Sequence, residues 1–357
     1  MDKECKNLSA RATAAEISDQ KKQYDSRAEP KVVIVILNWN GKNLTAECLE
    51  SLMEIDYCNY KILLVDNGST DGSQEYFRDR YPEIELVENG ENLGFAEGSN
   101  VGVRRAMDCQ ADYVLLLNND VEADPRLVGQ VHDAIVHSGE GDFYACRMMD
   151  FYQRDLVDGA GDGFPKKGKS FRIGHGVKFG PPFDQSRRVF GACAGAGLYK
   201  RGLFEEVGLF DEDFFAYHED VDWNFRANLM GYRCFYIPEA VVYHVGSGAT
   251  GGLYNDFTVF HNVRNMIHVI IKDLPGYLLL KYLPWIVWGQ IESFLRFCVV
   301  LGYWRAYFRG LSSAIRGSGK MLRKRREIQK RRRISLLELE QLLISSEQER
   351  KSRTRPI

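Results

Sequence analysis

What the sequence lacks narrows it first. A dinucleotide-binding fold places G-x-G-x-x-G directly after its first strand. Here that position holds Asn38-Trp39-Asn40-Gly41. Nor does that strand run into a P-loop, so neither a hydride-transfer cofactor nor a P-loop nucleotidase is expected. The eight cysteines are scattered without a C-x-x-C pair, so neither a zinc site nor a disulfide scaffold is expected. Net charge is only −2, so the chain as a whole has no attraction for nucleic acid. The polar N-terminus has no apolar core of a secretory leader. No unbroken apolar run of about 20 residues, the length of a membrane span, occurs. The most apolar stretch, Tyr277 to Phe308, is interrupted by Lys281, Pro284, Glu292 and Arg296.

What is present is an alternation. Val32 to Leu37, Tyr60 to Val65, Ile84 to Val87 and Tyr113 to Leu117 are short aliphatic runs that read as buried strands. Between them lie segments of helical spacing: Leu44 to Met53, Ser73 to Tyr81, and the small-residue stretch Gly98 to Met107. The order β-α-β-α-β-α-β with short connections predicts an open, mostly parallel α/β sheet of nucleotide-binding type. Three of the strands end in polar loops: Asn38-Trp39-Asn40, Asp66 to Ser73, and Asn118-Asn119-Asp120. In such sheets ligands bind outside the carboxyl ends of the strands, so the three loops converge on one site. Its charged side chains are Asp66, Asp71 and Asp120. They would repel a nucleotide diphosphate unless a divalent cation lay between them.

The second half adds two more features. Glu219, Asp220 and Asp222 crowd the start of a helix, where negative charge also suits the helix dipole. Phe214, Phe215, Tyr217 and Trp223 surround them, and partial desolvation raises a carboxylate's pKa toward general-base duty. His244 ends a strand and precedes a Gly-rich turn, where a neutral imidazole completes a cation site with Asp120. Val189 to Tyr199 is small and apolar, suited to bringing backbone close to a substrate. His175, in a Gly-rich excursion, reads as an ordinary loop histidine.

Five segments then carry a resemblance: Val35-Ile-Leu-Asn-Trp-Asn40, Val65-Asp-Asn-Gly-Ser-Thr-Asp71, Glu91-Asn-Leu-Gly-Phe-Ala96, Leu117-Asn-Asn-Asp120, and Val207-Gly-Leu-Phe-Asp-Glu212 with Tyr217-His-Glu-Asp-Val-Asp222. In this order, over about residues 32 to 265, the set resembles inverting glycosyltransferase family 2, with the GT-A fold. Tyr243-His-Val-Gly-Ser-Gly-Ala-Thr250 and His261-Asn-Val-Arg-Asn265 are most similar to bacterial rhamnosyltransferases that use dTDP-rhamnose. The resemblance implies roles. Asn38, Asn40, Asp66, Ser69, Asp71 and Asn118 would bind the nucleotide, with Arg264 reaching its diphosphate. Asp120, the last position of the family's Asp-x-Asp signature, and His244 would hold Mg2+ or Mn2+. Asp220 would be the catalytic base with Glu219 beside it, and Trp223 and Arg226 would flank the acceptor. Asn118 departs from the pattern, standing where the signature begins with a carboxylate.

Three regions are therefore expected: a mobile N-terminal extension over 1–30, a catalytic GT-A domain over 31–270, and a helical, basic, membrane-interface region over 271–357. The partners implied are a dTDP-rhamnose donor, a lipid-linked or polysaccharide acceptor for cell-surface glycan assembly, and an anionic membrane surface on its cytoplasmic face. Nucleic acid is not among them, and a homo-oligomer is left open. UDP-hexose and GDP-mannose are the alternative donors. A catalytically silent nucleotide-sugar-binding membrane scaffold is the alternative class.

Overall fold

The computed structural model describes residues 29–246 and 254–352. The expected mobile extension falls almost wholly outside the described residues. So do residues 247–250 of the rhamnosyltransferase-like motif.

The first half alternates as the sequence predicts: β1 (Val32–Asn38), α1 (Lys42–Met53), β2 (Tyr60–Asp66), α2 (Ser73–Arg80), β3 (Glu85–Glu88), α3 (Gly94–Asp108) and β4 (Tyr113–Asn118). A short β5 (Val121–Ala123), α4 (Leu127–Ser138) and β6 (Phe143–Asp150) follow. The Gly-rich excursion contains only brief pairings, β7 (Leu156–Gly159), β8 (Asp162–Gly163), β9 (Phe171–Arg172) and β10 (Val177–Lys178). Then come β11 (Arg187–Val189), β12 (Ala196–Lys200), α5 (Arg201–Glu206), α6 (Glu219–Leu229) and the long β13 (Cys234–His244). The chain ends in α7 (Asp256–Asp273), α8 (Gly276–Phe294), a π-helical segment (Leu295–Val300), α9 (Trp304–Lys330) and α10 (Leu336–Ser352).

The sheet runs β10-β7-β6-β12-β4-β1-β2-β3. The half formed by β4, β1, β2 and β3 is parallel. Beyond β4 the sheet becomes mixed, because β12 runs antiparallel to both β4 and β6. The aliphatic runs need no polar alternation because both faces of the sheet are covered. Val33 and Val35 enter one core cluster, while Val32, Ile34 and Ile36 enter the other. Each such burial contributes about 1.5–3 kcal/mol. The small-residue helix α3 lies hard against β1: a Cβ on Gly102 would come within 2.3 Å of Val35.

Two features of this fold place the site. Asn38 pairs with Asp66, and Leu37 with Asn118, so β1, β2 and β4 end level with one another. The long β13 runs antiparallel to β5, with His244 opposite Val121. That pairing delivers His244 next to Asp120. The C-terminal helices are packed on the catalytic core: Met266, Leu278, Ile286 and Leu339 share one apolar cluster with Phe214 and Phe225. Helix α7 opens with a capping box between Asn255 and Thr258. It meets α9 along small residues, and a Cβ on Gly310 would approach the Phe260 carbonyl to 2.7 Å.

Candidate active site

The loops after β1 and β2 are tied together by their own side chains. Asn38 is fully buried; its amide donates to Asp66 at 2.8 Å and Ser69 at 3.0 Å, and its carbonyl accepts from Thr45 and the Gly41 N–H. Asp66 also accepts from the Ser69 N–H and from Gln74. Asn67 donates to Asn92 and the Gly94 carbonyl, and accepts from Asn89 and the Leu93 N–H. Asn40, at φ +52°, accepts from the Thr70 N–H, and Asp71 accepts from the Lys42 and Ser73 N–H groups. Burial pushes the Asp71 carboxyl up, but these hydrogen bonds win and hold it below its ordinary value. Turn-forming residues thus build a rigid rim.

The end of β4 faces a second constellation. His244 Nε2 lies 3.3 Å from Asp120 Oδ1 and 3.4 Å from the Asn118 amide nitrogen. On its other side Nδ1 is 2.8 Å from Asp158. Burial pulls the His244 pKa down, but hydrogen bonds to Asp120 and Asp158 raise it to about 9, so without a cation the ring is an imidazolium between two carboxylates. Asp158 also meets His175 and Arg172; these contacts outweigh burial and keep it ionised. The donor set fits a divalent cation. Asp120 and His244 would supply it with one oxygen and one nitrogen donor. Asp158 would then orient the imidazole from behind, as carboxylates commonly do for metal-bound histidines.

A third group surrounds Asp220, at the start of α6. This carboxylate is partly exposed and accepts from the Ala194 and Val221 N–H groups. Glu219 is buried; desolvation, then the charges of Asp220 and Asp222, push its carboxyl well up. Asp162, Cys193 and Asp220 bring polar atoms within 4.8 Å of one another. Burial and the Asp220 charge push Asp162 up, and burial pushes the Cys193 thiol up. With Arg172 alongside, this set suits holding protons better than holding a second metal. The backbone leading into α6 is strained, with Phe215, Tyr217 and His218 all at positive φ. Asn265 from α7 restrains it, donating to the carbonyls of Phe214, Ala216 and Tyr217.

Level strand ends, a carboxylate–imidazole pair and a half-open carboxylate beside a strained elbow form one continuous edge. Residues 32–208 match the model of a protein family described as Glycosyl transferase family 2. The chain belongs to this family. It is a glycosyltransferase with the GT-A fold. It is 28% identical over 213 residues to the N-acetylglucosaminyl-diphospho-decaprenol L-rhamnosyltransferase of Mycobacterium tuberculosis, covering 53% of this chain and 68% of that one. It is 23% identical over 286 residues to the poly-beta-1,6-N-acetyl-D-glucosamine synthase of Staphylococcus aureus, covering 76% of this chain and 64% of that one. Two solved structures share the fold. One is GalNAc-T7 with UDP, GalNAc and Mn2+, at a TM-score of 0.58 and 15% identity, covering 75% of this chain and 52% of that one. The other is the mannosyltransferase of Pyrobaculum calidifontis with GDP-Man and Mn2+, at 0.51 and 18%, covering 96% and 95%.

Within this glycosyltransferase the residues expected at the site divide. Asn40, Ser69, Asp71, Asn118, Asp120, His244 and Asp220 lie on the loops and strand ends that form the edge. Asn38 and Asp66 stand behind it as fully buried cross-braces. Trp223 and Arg226 are corrected. Trp223 is fully buried, its ring N–H donating to the Gly208 carbonyl, among Phe143, Tyr199 and Phe204. Arg226 binds Asp222 and the carbonyls of Val207 and Leu209. Both face inward from α6 and neither is available to an acceptor. Arg264 turns to the Asp213 and Phe214 carbonyls and to Asn265, so it braces the elbow.

The sequence reading missed Asp158, Arg172 and Asp162, which enter from brief strands with no periodic signal. It also took the P-loop pattern to be absent, yet Gly163-Phe-Pro-Lys-Lys-Gly-Lys-Ser170 has that spacing. The structure gives that segment no phosphate cradle. It is a turn with no helix behind it, and Lys167 pairs with Glu292 of α8.

Proposed function

We propose that this glycosyltransferase moves L-rhamnose from dTDP-rhamnose, with inversion, onto a lipid-linked acceptor in cell-surface glycan assembly. The Asp120–His244 pair, linked through Asp158 and Arg172 to the Asp220 carboxylate, carries the reading. The likeness to a mycobacterial enzyme named as an L-rhamnosyltransferase supports the donor. Asp220 accepts the proton of the acceptor hydroxyl as that oxygen attacks the anomeric carbon and the nucleoside diphosphate departs. One displacement inverts the centre, so no enzyme nucleophile is required. Buried Glu219, pushed toward its neutral form, leaves Asp220 as the accessible carboxylate of the pair. Asp120 and His244 would hold the divalent cation, which when bound supplies positive charge to the diphosphate. The mixed oxygen and nitrogen donors favour Mn2+ over Mg2+, since Mg2+ prefers oxygen alone.

The test is to incubate the purified chain with MnCl2 and, in turn, dTDP-rhamnose, UDP-hexoses and GDP-mannose, and to measure nucleoside diphosphate release. Release of dTDP at least tenfold above the others is expected, with turnover about 10³-fold lower in Asp220→Asn and nucleotide binding retained. Release of UDP or GDP instead replaces the donor. Unchanged glycan assembly by Asp220→Asn in cells replaces catalysis with a scaffold role.

A further inference from the structure

Residues 276–333 hold fourteen Lys and Arg against two Glu, in a chain whose total charge is −2. This charge is concentrated beside the largest exposed apolar surface described. Along α8 and the π-segment, Leu280, Trp288, Ile291, Leu295 and Val299 recur at helical spacing and are exposed, Leu280 by 74%. Helix α9 sorts its side chains into three stripes. Ala306, Tyr307, Gly310, Ala314 and Met321 are buried. Trp304, Phe308, Ile315 and Leu322 form an exposed apolar stripe. Arg305, Arg309, Arg316 and Arg323, each one residue further on, form an exposed cationic stripe beside it.

Not all of the basic block is turned outward. Lys320 and Lys324 bind Asp211 and Asp213 just before the catalytic elbow, and Arg325 donates to the Ile271 carbonyl. Within the basic run from Arg316 to Arg333, Lys320, Lys324 and Arg325 are therefore engaged by the protein itself. The outward charges include the arginines flanking the tryptophan-bearing stripe.

We infer that α8, the π-segment and the apolar–cationic face of α9 form a docking surface for an anionic lipid bilayer, lying in its interface on the Asp220 side of the site. No described helix is long and apolar enough to cross a membrane, and α8 carries Lys281 and Pro284 within it. Tryptophans over an apolar strip with flanking arginines match the boundary between acyl chains and anionic headgroups. The surface also reaches the chemistry. The loop carrying Lys166 and Lys167 packs on α8, with Lys166 over the Trp285 ring and Lys167 paired to Glu292. Three residues on, Ser170 meets His218, the residue before Glu219 and Asp220. An acceptor held in the bilayer would arrive on that side. The inference deepens the lipid-linked acceptor reading, yet vesicle binding needs neither donor nor metal, so the two can fail separately.

The test is sedimentation of the full chain with sucrose-loaded vesicles of phosphatidylcholine alone or mixed equally with phosphatidylglycerol. Binding at least tenfold tighter to the mixed vesicles is expected, with a blue shift of tryptophan emission. Trp288→Glu with Val300→Glu should weaken binding at least tenfold. Arg305→Gln with Arg309→Gln and Arg316→Gln should abolish the preference for anionic vesicles. All of these side chains are exposed, so the fold does not depend on them. The inference is overturned if the wild-type chain stays in the supernatant with both vesicles. It is equally overturned if the glutamate variant binds as the wild type does, or if the strip proves to be covered by a second copy in a stable dimer that the variant dissociates.

Discussion

The two sides of the sheet edge treat their polar residues in opposite ways. On the side of β1 and β2, Asn38, Asp66 and Asn67 satisfy one another and the loop backbone, with φ values that glycine and asparagine tolerate. On the side of α6, Glu219 is buried with one carboxylate oxygen lacking a partner, Asp162 is crowded by Asp220, and the backbone is strained at three residues, Phe215, Tyr217 and His218. The first arrangement stabilises the fold. The second costs stability and persists because packing around it over-determines the geometry. Shape is set on one side, and reactivity is stored on the other.

The largest effect expected from this contrast is a pair of stability measurements. Asp66→Ala leaves the Ser69 N–H without its acceptor and takes one acceptor each from Asn38 and Gln74, which keep Ser69. An orphaned buried donor costs about 1–3 kcal/mol and each further lost hydrogen bond roughly 1 kcal/mol, so a loss of about 3 kcal/mol or more is expected in urea unfolding. Glu219→Gln should be neutral or stabilising, because it removes a charge that burial already opposes. Equal losses in the two variants would dissolve the contrast.

Next comes Asn265→Ala. Its amide holds three carbonyls of the strained elbow. Its two N–H donors are shared among those carbonyls, so two hydrogen bonds at roughly 1 kcal/mol each put the stability loss at about 2 kcal/mol. Turnover should fall about tenfold or more as Asp220 loses its position, while nucleotide affinity measured by calorimetry stays unchanged. A fall in affinity of the same size would mean that the elbow and the nucleotide rim are one unit.

A third test lies within the segment itself. Asp211 is paired with Lys272 and Lys324, and Lys272 also binds Asp222. Burial pushes the Asp211 carboxyl up, but the lysines win and hold it well below the usual range. A carboxyl depressed in the folded state contributes stability above its unfolded pKa of about 3.9 and loses it as pH falls toward the folded value. The stability gap between wild type and Asp211→Asn should therefore be constant from pH 7 to 5 and shrink below about pH 4, read from melting temperatures. A gap that does not narrow would show that the clamp acts through packing and not charge.

The legible parts of this molecule were those encoded locally. Val32 to Leu37 and Tyr113 to Leu117 announce buried strands because both faces of the sheet are covered, and Asn-Asn-Asp after β4 marks a strand end. Asp120 and Asp220 could be picked out because they sit in recognisable segments at such ends. Asp158 and Asp162 could not, because they reach the site through contacts with residues far along the chain and through strands of two to four residues. Trp223 was misread for a related reason. Aromatics beside a Glu-Asp pair look like a substrate surround, but α6 is buried all round, Trp223 included, and only Asp220 within it stays partly exposed. The basic block hid the same ambiguity: only the three stripes of α9 reveal which cations face inward.

The smallest expected effect tests the border between the two sides. Asn118 ends β4, its amide nitrogen 3.4 Å from His244 and its side chain against Gly195. Asn118→Asp is nearly isosteric, so packing should not change. What changes is charge: a second carboxylate would join Asp120 beside His244. Cation affinity follows the count of charged ligands in such sites, so Mn2+ should bind about three- to tenfold tighter, worth roughly 1 kcal/mol, in titration calorimetry with MnCl2. Without metal, the His244 imidazolium beside it offsets repulsion from Asp120, so the melting temperature should change little. Tighter binding at an unchanged melting temperature assigns Asn118 to the reactive side of the edge. Unchanged Mn2+ affinity would assign it to the structural side, with Asn38 and Asp66.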